Sequence, residues 1–505
     1  MDRSVTVMNL IFDRFEEEGI RYCHFKSNQH IDESFEGRSD FDILADRDRQ
    51  SAVTEILISF GARRFESPVL NNYPGIQNWL IFDDKSGIIY HMHLHYQLLT
   101  GTVHVKQYKL SWFPMLLDNT YIDQDHGIRM PIPECEMILL LSRIILKTNI
   151  DKRIRYTLAG FKMSEAYKKE FDYLLERLDQ KIFKEKCSRI YPAEAAEQMS
   201  DIINAGKMET GAFRRLNHML RRYYKESERC GEFSAIIRAL KCEAEYSRNK
   251  REKRVRKKVG EKGGISVAFV GVDGSGKSTT VDNIYKWLSK KIETEKIYLG
   301  TGDGADSPKV RFLKTILRFG GKLSPKKRTS EHTESAKDTA DKRKLSLTHK
   351  PVRFIIKSIE AEIISTVAHN NKIKLINMNR YRMDGGISVI DRFPQLESEN
   401  INDGIKLKKY AAQMAGSRIR RLAAKEIKDL KITEKIYPDV IFRLNISLKT
   451  CMERKASHTD EEYFRTKIES LKGLSYPMTR VIEIDAEQDY ENELLTIKKE
   501  IWKLL

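Results

Sequence analysis

Gly271-Val272-Asp273-Gly274-Ser275-Gly276-Lys277-Ser278 satisfies the pattern GxxxxGK[ST] at every fixed position. The continuous apolar run Ile265 to Gly271 (ISVAFVG) precedes it and suits a buried parallel strand, and the helical run Thr279 to Lys290 follows. Strand, glycine-rich loop and helix in that order are the context in which the pattern binds phosphate. Glycines let backbone N–H groups close around phosphate oxygens, Lys277 adds a positive charge at the β- and γ-phosphates, and the Ser278 hydroxyl can ligate Mg²⁺. The helix N-terminus contributes partial positive charge to the same place. ATP or another nucleoside triphosphate is the expected substrate, held by Gly271, Gly274, Ser275, Gly276, Lys277, Ser278 and Thr279. A chance glycine-rich turn is the bland alternative, and the flanking strand and helix patterns disfavour it.

Downstream lie strand-like runs at Ile387 to Ile390, Val440 to Ile446 and Arg480 to Ile484, then a terminal helix. Between them, Lys322 to Lys350 holds nine basic and four acidic residues with few apolar anchors, and is expected to be a flexible insert. FVGVDGSGKST (Phe269 to Thr279), VIDRF (Val389 to Phe393), PDVIFRLNIS (Pro438 to Ser447), ERK (Glu453 to Lys455) and VIEIDAEQDYENELLTIKKEIWKLL (Val481 to Leu505) resemble, in that order, the thymidylate kinase family. The resemblance covers about 240 residues. It implies a P-loop kinase fold, a parallel sheet with helices on both faces, whose members move the γ-phosphoryl of ATP to a deoxynucleoside monophosphate. It places Asp273 beside the acceptor sugar, and Asp391-Arg392 near the acceptor phosphate and magnesium. Arg454, with Lys455 and Lys467, would belong to a lid that neutralises the transferring phosphoryl. A strand-end ion pair is the plain reading of Asp391-Arg392. Two departures bear on the base: Ala368-His369-Asn370-Asn371 stands where the family carries its thymine-reading arginine, and Pro394 to Ser398 replaces its Ser and Tyr-Gln stretch.

Near the other end, Gly37-Arg38-Ser39-Asp40-Phe41-Asp42-Ile43-Leu44 places two carboxylates on one face of a strand. Carboxylates that converge repel unless a cation sits between them, so Mg²⁺ held by Asp40 and Asp42 is the natural use. Upstream, Lys26, Ser27 and Asn28 read as a loop for a triphosphate. YCHFKSNQHI…GRSDFDILADRDR (Tyr22 to Arg49), FGARRF (Phe60 to Phe65) and HMHLHYQLLTG (His91 to Gly101) resemble the nucleotidyltransferase superfamily over roughly residues 5 to 150. In that superfamily the acid pair holds metal and triphosphate while an acceptor hydroxyl attacks the α-phosphorus and pyrophosphate departs. The place of its usual third acid is taken by His93, and Ser27 stands where a glycine is usual. His91, His93 and His95 share one strand face, so a transition-metal site is weighed against a polar active-site wall or a general base at His93.

The fold class expected is α/β and α+β multidomain. Residues 1–133 form a nucleotidyltransferase-like α+β domain, 134–247 an α-helical region, 248–264 a basic linker, and 265–505 the P-loop domain with its insert at 322–350. Of 505 residues, 90 are Lys or Arg and 72 Asp or Glu, a net charge of +18. Arg248 to Lys262 supplies +7 of this and Lys322 to Lys350 +5, so the excess marks boundaries more than a polyanion-binding face. No aromatic residue interleaves the first run, which disfavours nucleic acid. The six cysteines include no CxxC pair, no signal peptide is visible, and the apolar stretch Met137 to Leu146, interrupted by Ser142 and Arg143, is too short to span a bilayer. A reduced cytoplasmic protein without membrane contact fits, its partners being nucleotides, thymidine nucleotides above all; a protein partner and self-association stay open. The expected function is a bifunctional enzyme in which nucleotidyl transfer is coupled to nucleotide binding or phosphorylation, tethering raising the local nucleotide concentration. The alternative is a non-catalytic thymidine-nucleotide sensor, for instance in antiviral defence.

Overall fold

The structure is a computed structural model that describes residues 5–67, 72–252, 254–300, 307–321, 350–399, 402–413, 417–454 and 461–505. Residues 322–349 of the expected insert, and Lys455, lie outside the described residues. The chain divides into two compact units, Met1–Lys262 and Gly263–Leu504.

The first unit is built on a mixed six-stranded sheet. Its strands are β1 (Tyr22–His24), β2 (Phe41–Ala45), β3 (Arg63–Glu66), β4 (Ile76–Phe82), β5 (Ile89–His95) and β6 (Val259–Gly260), in the spatial order β1-β2-β5-β4-β3-β6. Only β2 and β5 run parallel to each other, with Asp42 opposite His93. Strand alternation sorts the side chains. Phe41, Ile43 and Ala45 of β2, with Tyr90, Met92 and Leu94 of β5, enter an apolar core closed by α1 (Val7–Glu17) through Met8, Ile11, Phe12 and Phe15. Asp42, His91, His93 and His95 are thereby left on the opposite face. Cys23, Phe25 and Leu44 on that face join a second core made with a group of helices.

Those helices are α2 (Pro133–Leu146), α3 (Glu165–Leu175), α4 (Gln180–Ile190), α5 (Ala193–Ala205), α6 (Thr210–Tyr224) and α7 (Glu232–Glu252). Helix α2 is buried at every position from Glu134 to Leu146, so this largely apolar run is an interior helix, its Ser142 and Arg143 included. The basic run expected as a linker is helix and strand over part of its length. Its first part continues α7 to Glu252, and Val259–Gly260 adds the edge strand β6 antiparallel to β3. Lys and Arg are good helix formers on a solvated face, and strand pairing needs only backbone, so charge did not end the folded unit there.

The second unit carries a five-stranded, wholly parallel sheet: β7 (Ser266–Gly271), β8 (Thr294–Tyr298), β9 (Ile387–Asp391), β10 (Val440–Asn445) and β11 (Arg480–Asp485), ordered β8-β9-β7-β10-β11. β7 lies in the middle, buried along Ser266 to Val270, and Phe269 stacks on Phe442 of β10 at 5.2 Å between centroids. The loop that leaves β7 therefore emerges at the centre of the carboxyl edge, between strands on both sides, where doubly wound sheets bind ligands. Helix α8 (Lys277–Ser289) follows it, and a 34-residue helix, α9 (Lys350–Met383), leads into β9. None of the six cysteines forms a disulfide. No helix among the described residues is long and apolar enough to cross a membrane.

Candidate functional sites

At the carboxyl edge of the second unit, Gly274 and Gly276 take φ of +91° and +85°, backbone that glycine adopts without a Cβ penalty. A Cβ on Gly271 would stand 2.5 Å from Ser275 Oγ and 3.0 Å from the Leu444 carbonyl, so only glycine lets the loop fold back this tightly. Lys277 is buried, with Nζ donating to the Val272 carbonyl at 2.7 Å. Burial, with Arg392 nearby, pushes its ammonium down to about 8. Ser278 Oγ donates to Asp391 Oδ2 at 3.0 Å, while Asp391 Oδ1 is buried with no hydrogen-bond partner. Serine and aspartate oxygens with one lone pair unclaimed fit a hard cation such as Mg²⁺. Thr279 is exposed at the start of α8, and Ser275 Oγ is buried and unpartnered.

Asp391 and Arg392 part company. Arg392, at φ +69°, sends its guanidinium to Asp273 (3.5 Å) and Asp403 (3.6 Å). Lys467 Nζ donates to Asp273 Oδ2 at 2.6 Å. Burial works against the Asp273 carboxylate, yet Lys467, Lys277 and Arg392 hold it below its usual range. The same burial pushes Asp403 up despite Arg392 and Lys406. Asp273, Lys277, Arg392, Asp403 and Lys467 line one cavity of about 30 Å³. Arg454 donates to the carbonyls of Gly274 and Ala486, bracing the loop. In the segment Ala368 to Asn371, Asn371 Nδ2 donates to the Leu299 carbonyl at 2.7 Å, and its Oδ1 is buried without a partner.

In the first unit, strand register sets Asp42 against His93 and His95. Asp42 Oδ1 lies 2.9 Å from Lys26 Nζ and 3.3 Å from His93 Nδ1, and His95 Nε2 lies 3.2 Å from His93 Nδ1. Asp40 Oδ2 is 2.9 Å from His91 Nδ1. Burial opposes the Asp42 charge, yet Lys26 and then His93 hold it well below the usual range. Burial also lowers all three histidines, His91 to about 4, so at neutral pH they are uncharged imidazoles. One carboxylate and two imidazoles do not make the all-oxygen set that Mg²⁺ prefers, and Asp40 is turned to His91, so these residues do not fit the expected Mg²⁺ pair.

A cavity of about 450 Å³ opens beside them, lined by Lys26, Lys106, Arg143, Lys147 and Lys258 as well as His91, His93 and His95. Its size suits a nucleotide and its charge suits phosphates. Desolvation pushes Lys147 down to about 7 and Lys106 to about 8. Both lose charge as pH rises from 7 to 9, so tripolyphosphate binding, measured by calorimetry in a Lys277→Met background, is expected to weaken over that window. A charge-assisted hydrogen bond contributes ~1.5 kcal/mol or more, so the fall is about tenfold per charge, and Lys147→Met flattens its lower half.

Ser27 and Asn28 are placed differently from expectation. The Ser27 N–H donates to Glu170 Oε1 (3.3 Å), the Asn28 N–H to Glu136 Oε1 (3.4 Å), and Asn28 Nδ2 to Glu136 Oε2 (2.6 Å). Carboxyl groups from α2 and α3 occupy the amides that a phosphate would use, and of the three loop residues Lys26 alone lines the cavity. Ser27 has φ +60°, the left-handed region that glycine enters without a Cβ penalty. Ser27→Gly is expected to stabilise the unit by about 0.5–1 kcal/mol in urea unfolding.

Asp403, Arg143, Lys106, Lys147, Glu136 and Glu170 escaped the sequence reading. Asn402-Asp403-Gly404 carried a turn signal, and Arg143 was visible as a charge breaking an apolar helix; the others carried none.

The strand order and the glycine-rich loop leaving the central strand define the second unit as a parallel α/β domain with a P-loop. No family model matches the chain. Two uncharacterized ATP-binding proteins of Escherichia coli (strain K12) are similar to part of it: YghR, 27% identical over 239 residues, 46% of this chain and 86% of the relative, and YghS, 25% identical over 220 residues, 43% and 84%. Similar solved structures include a thymidylate kinase from Candida albicans (16% identity, 48% of this chain and 92% of that one, TM-score 0.28). Another is a deoxyadenosine kinase from M. mycoides with bound dATP (15% identity, 47% and 99%, TM-score 0.26).

Proposed function

We propose that the second unit transfers the γ-phosphoryl of ATP to a deoxynucleoside monophosphate, thymidylate first among them, and that the first unit transfers a nucleotidyl group. The observation that carries the kinase reading is Ser278 Oγ on Asp391 Oδ2, with Asp391 Oδ1 unclaimed and Lys277 inside the glycine loop. The relatives named for ATP binding support the donor. Ser278 and Asp391 would hold Mg²⁺, which neutralises charge between the β- and γ-phosphates when bound. Lys277 would leave the Val272 carbonyl for those phosphates. Arg392, whose ion pairs at 3.5 and 3.6 Å are loose, has N–H groups to offer the acceptor phosphate. Asn371 Oδ1 suits a base with a ring N–H at its edge, as thymine has.

In the first unit the cationic cavity would take a nucleoside triphosphate, with Lys26 and Arg143 on its phosphates and Asp40, Asp42 and His93 at one wall. The reaction would be attack of an acceptor hydroxyl on the α-phosphorus as pyrophosphate departs.

The test is incubation of the full chain with Mg²⁺, ATP and each labelled dNMP or dNTP, beside Lys277→Met and Asp40→Ala/Asp42→Ala variants. ADP and phosphorylated acceptor lost only in Lys277→Met assign the kinase; pyrophosphate release lost only in the carboxylate variant assigns the transferase. Nucleotide binding with no product from any mixture overturns both and leaves a sensor.

A further inference from the structure

We propose that Asp42, His93 and His95 of the first unit bind one divalent first-row transition ion, Zn²⁺ or Mn²⁺, in place of Mg²⁺. The three donor atoms already converge: Asp42 Oδ1 to His93 Nδ1 is 3.3 Å, His93 Nδ1 to His95 Nε2 is 3.2 Å, and Asp42 Oδ1 to His95 Nε2 is 4.0 Å. Two donors on one ion at ~2.1 Å stand ~3.4 Å apart at the tetrahedral angle, so two of the three separations suit a single ion as they stand and the third needs to close by about 0.6 Å.

Hydrogen bonding alone serves this cluster badly. His93 Nδ1 has one in-plane position, filled by a proton or by a lone pair. With a proton it satisfies Asp42 and leaves His95 Nε2 competing for the same hydrogen; with a lone pair it faces the carboxylate charge. One cation accepts all three lone pairs at once. The ring of His95 is fixed edge-on against Phe25, 4.9 Å between centroids, so the donor is positioned by packing. Lys26 shares Asp42 Oδ1, and an ion there frees the ammonium for a phosphate in the adjoining cavity. His91 is outside the set: its ring nitrogens face Asp40 and Asn78. Two imidazoles and a carboxylate with open positions are the donors that transition ions take and Mg²⁺ does not.

The inference stands apart from nucleotidyl transfer, because ion binding is read directly. Nucleotide-free full-length protein is dialysed to equilibrium against Zn²⁺, Mn²⁺ or Mg²⁺, and separately loaded with Co²⁺ for its visible absorption. Expected are one equivalent of Zn²⁺ or Mn²⁺, far weaker Mg²⁺ binding, and cobalt bands of a nitrogen-ligated site. His95→Gln and His93→Gln each lower affinity by at least about tenfold, the scale already set by loss of outer partners of a ligand. His126→Gln, altering a separate histidine between Asp32 and Asp123, leaves affinity unchanged. Should His95→Gln fail to fold, the less buried His93→Gln decides. Absence of a bound ion, Mg²⁺ binding as tight as Zn²⁺, or binding indifferent to His93 overturns the proposal.

Discussion

Lys277→Met is expected to lower ADP formation by about 10²–10³-fold while the protein melts close to the parent. Phosphoryl transfer leaves a protein little covalent chemistry to perform, so positioning and charge neutralisation supply most of the rate. Removing one preorganised donor from such a site costs on that scale. Methionine keeps the length of the buried stem and discards the ammonium, whose desolvation already pushes it down to about 8. Loss of a desolvated ammonium offsets loss of its hydrogen bond to the Val272 carbonyl, and Asp273 keeps Lys467 and Arg392, so activity falls much further than stability in this variant. Turnover within tenfold of the parent, with the melting temperature unchanged, would place the chemistry elsewhere than the glycine loop.

What could be read from the chain followed from how local each feature is. The phosphate loop is eight consecutive residues whose glycines, lysine and serine each answer to one geometric need, so its strand and helix were legible with it. Asp391 was visible as a strand-end acid, but its meeting with Ser278 depends on β7 and β9 lying parallel with Phe269 opposite Asp391. Asp40-x-Asp42 and His91-x-His93-x-His95 were legible because alternation alone puts each set on one face; that the two faces coincide is a property of the β2–β5 register. The cavity's cations were not legible. Lys106 comes from a hairpin loop, Lys147 from the end of α2 and Lys258 from the basic run, and no sequence spacing links them. Counting charge assigned Lys258 to a linker, whereas the backbone next to it pairs with β3. Arg143 read as an interruption of an apolar helix, which is how a buried ion pair looks when its partner lies 27 residues away.

That ion pair carries the second large effect: Arg143→Met is expected to destabilise the first unit by about 3–5 kcal/mol, and Glu170→Gln in the same chain to recover most of it. Arg143 Nη1 meets Glu170 Oε1 at 2.8 Å with both side chains over nine-tenths buried, so losing the arginine strands a carboxylate in the interior. Glu136, beside them, is pushed up to about 8 by burial and then by Glu170, and so holds a proton at neutral pH; Arg143 has one negative charge to balance, not two. The pH sign follows. Glu136 keeps its proton in the folded unit where the unfolded chain, at its ordinary 4.5, has lost it. Its contribution is therefore complete below about 4.5 and is lost as pH rises through about 8, and Glu136→Gln removes that slope. Glu170 and Glu136 also hold the Ser27 and Asn28 amides, so Arg143→Met, by stranding Glu170, also disturbs the loop that presents Lys26 to Asp42. Urea unfolding of the full chain, followed by hydrogen exchange in first-unit peptides, gives the double-mutant cycle. If Glu170→Gln fails to rescue Arg143→Met, the arginine acts through its stacking on Tyr167, 5.8 Å from the ring centroid, or through the cavity, and not through the carboxylate.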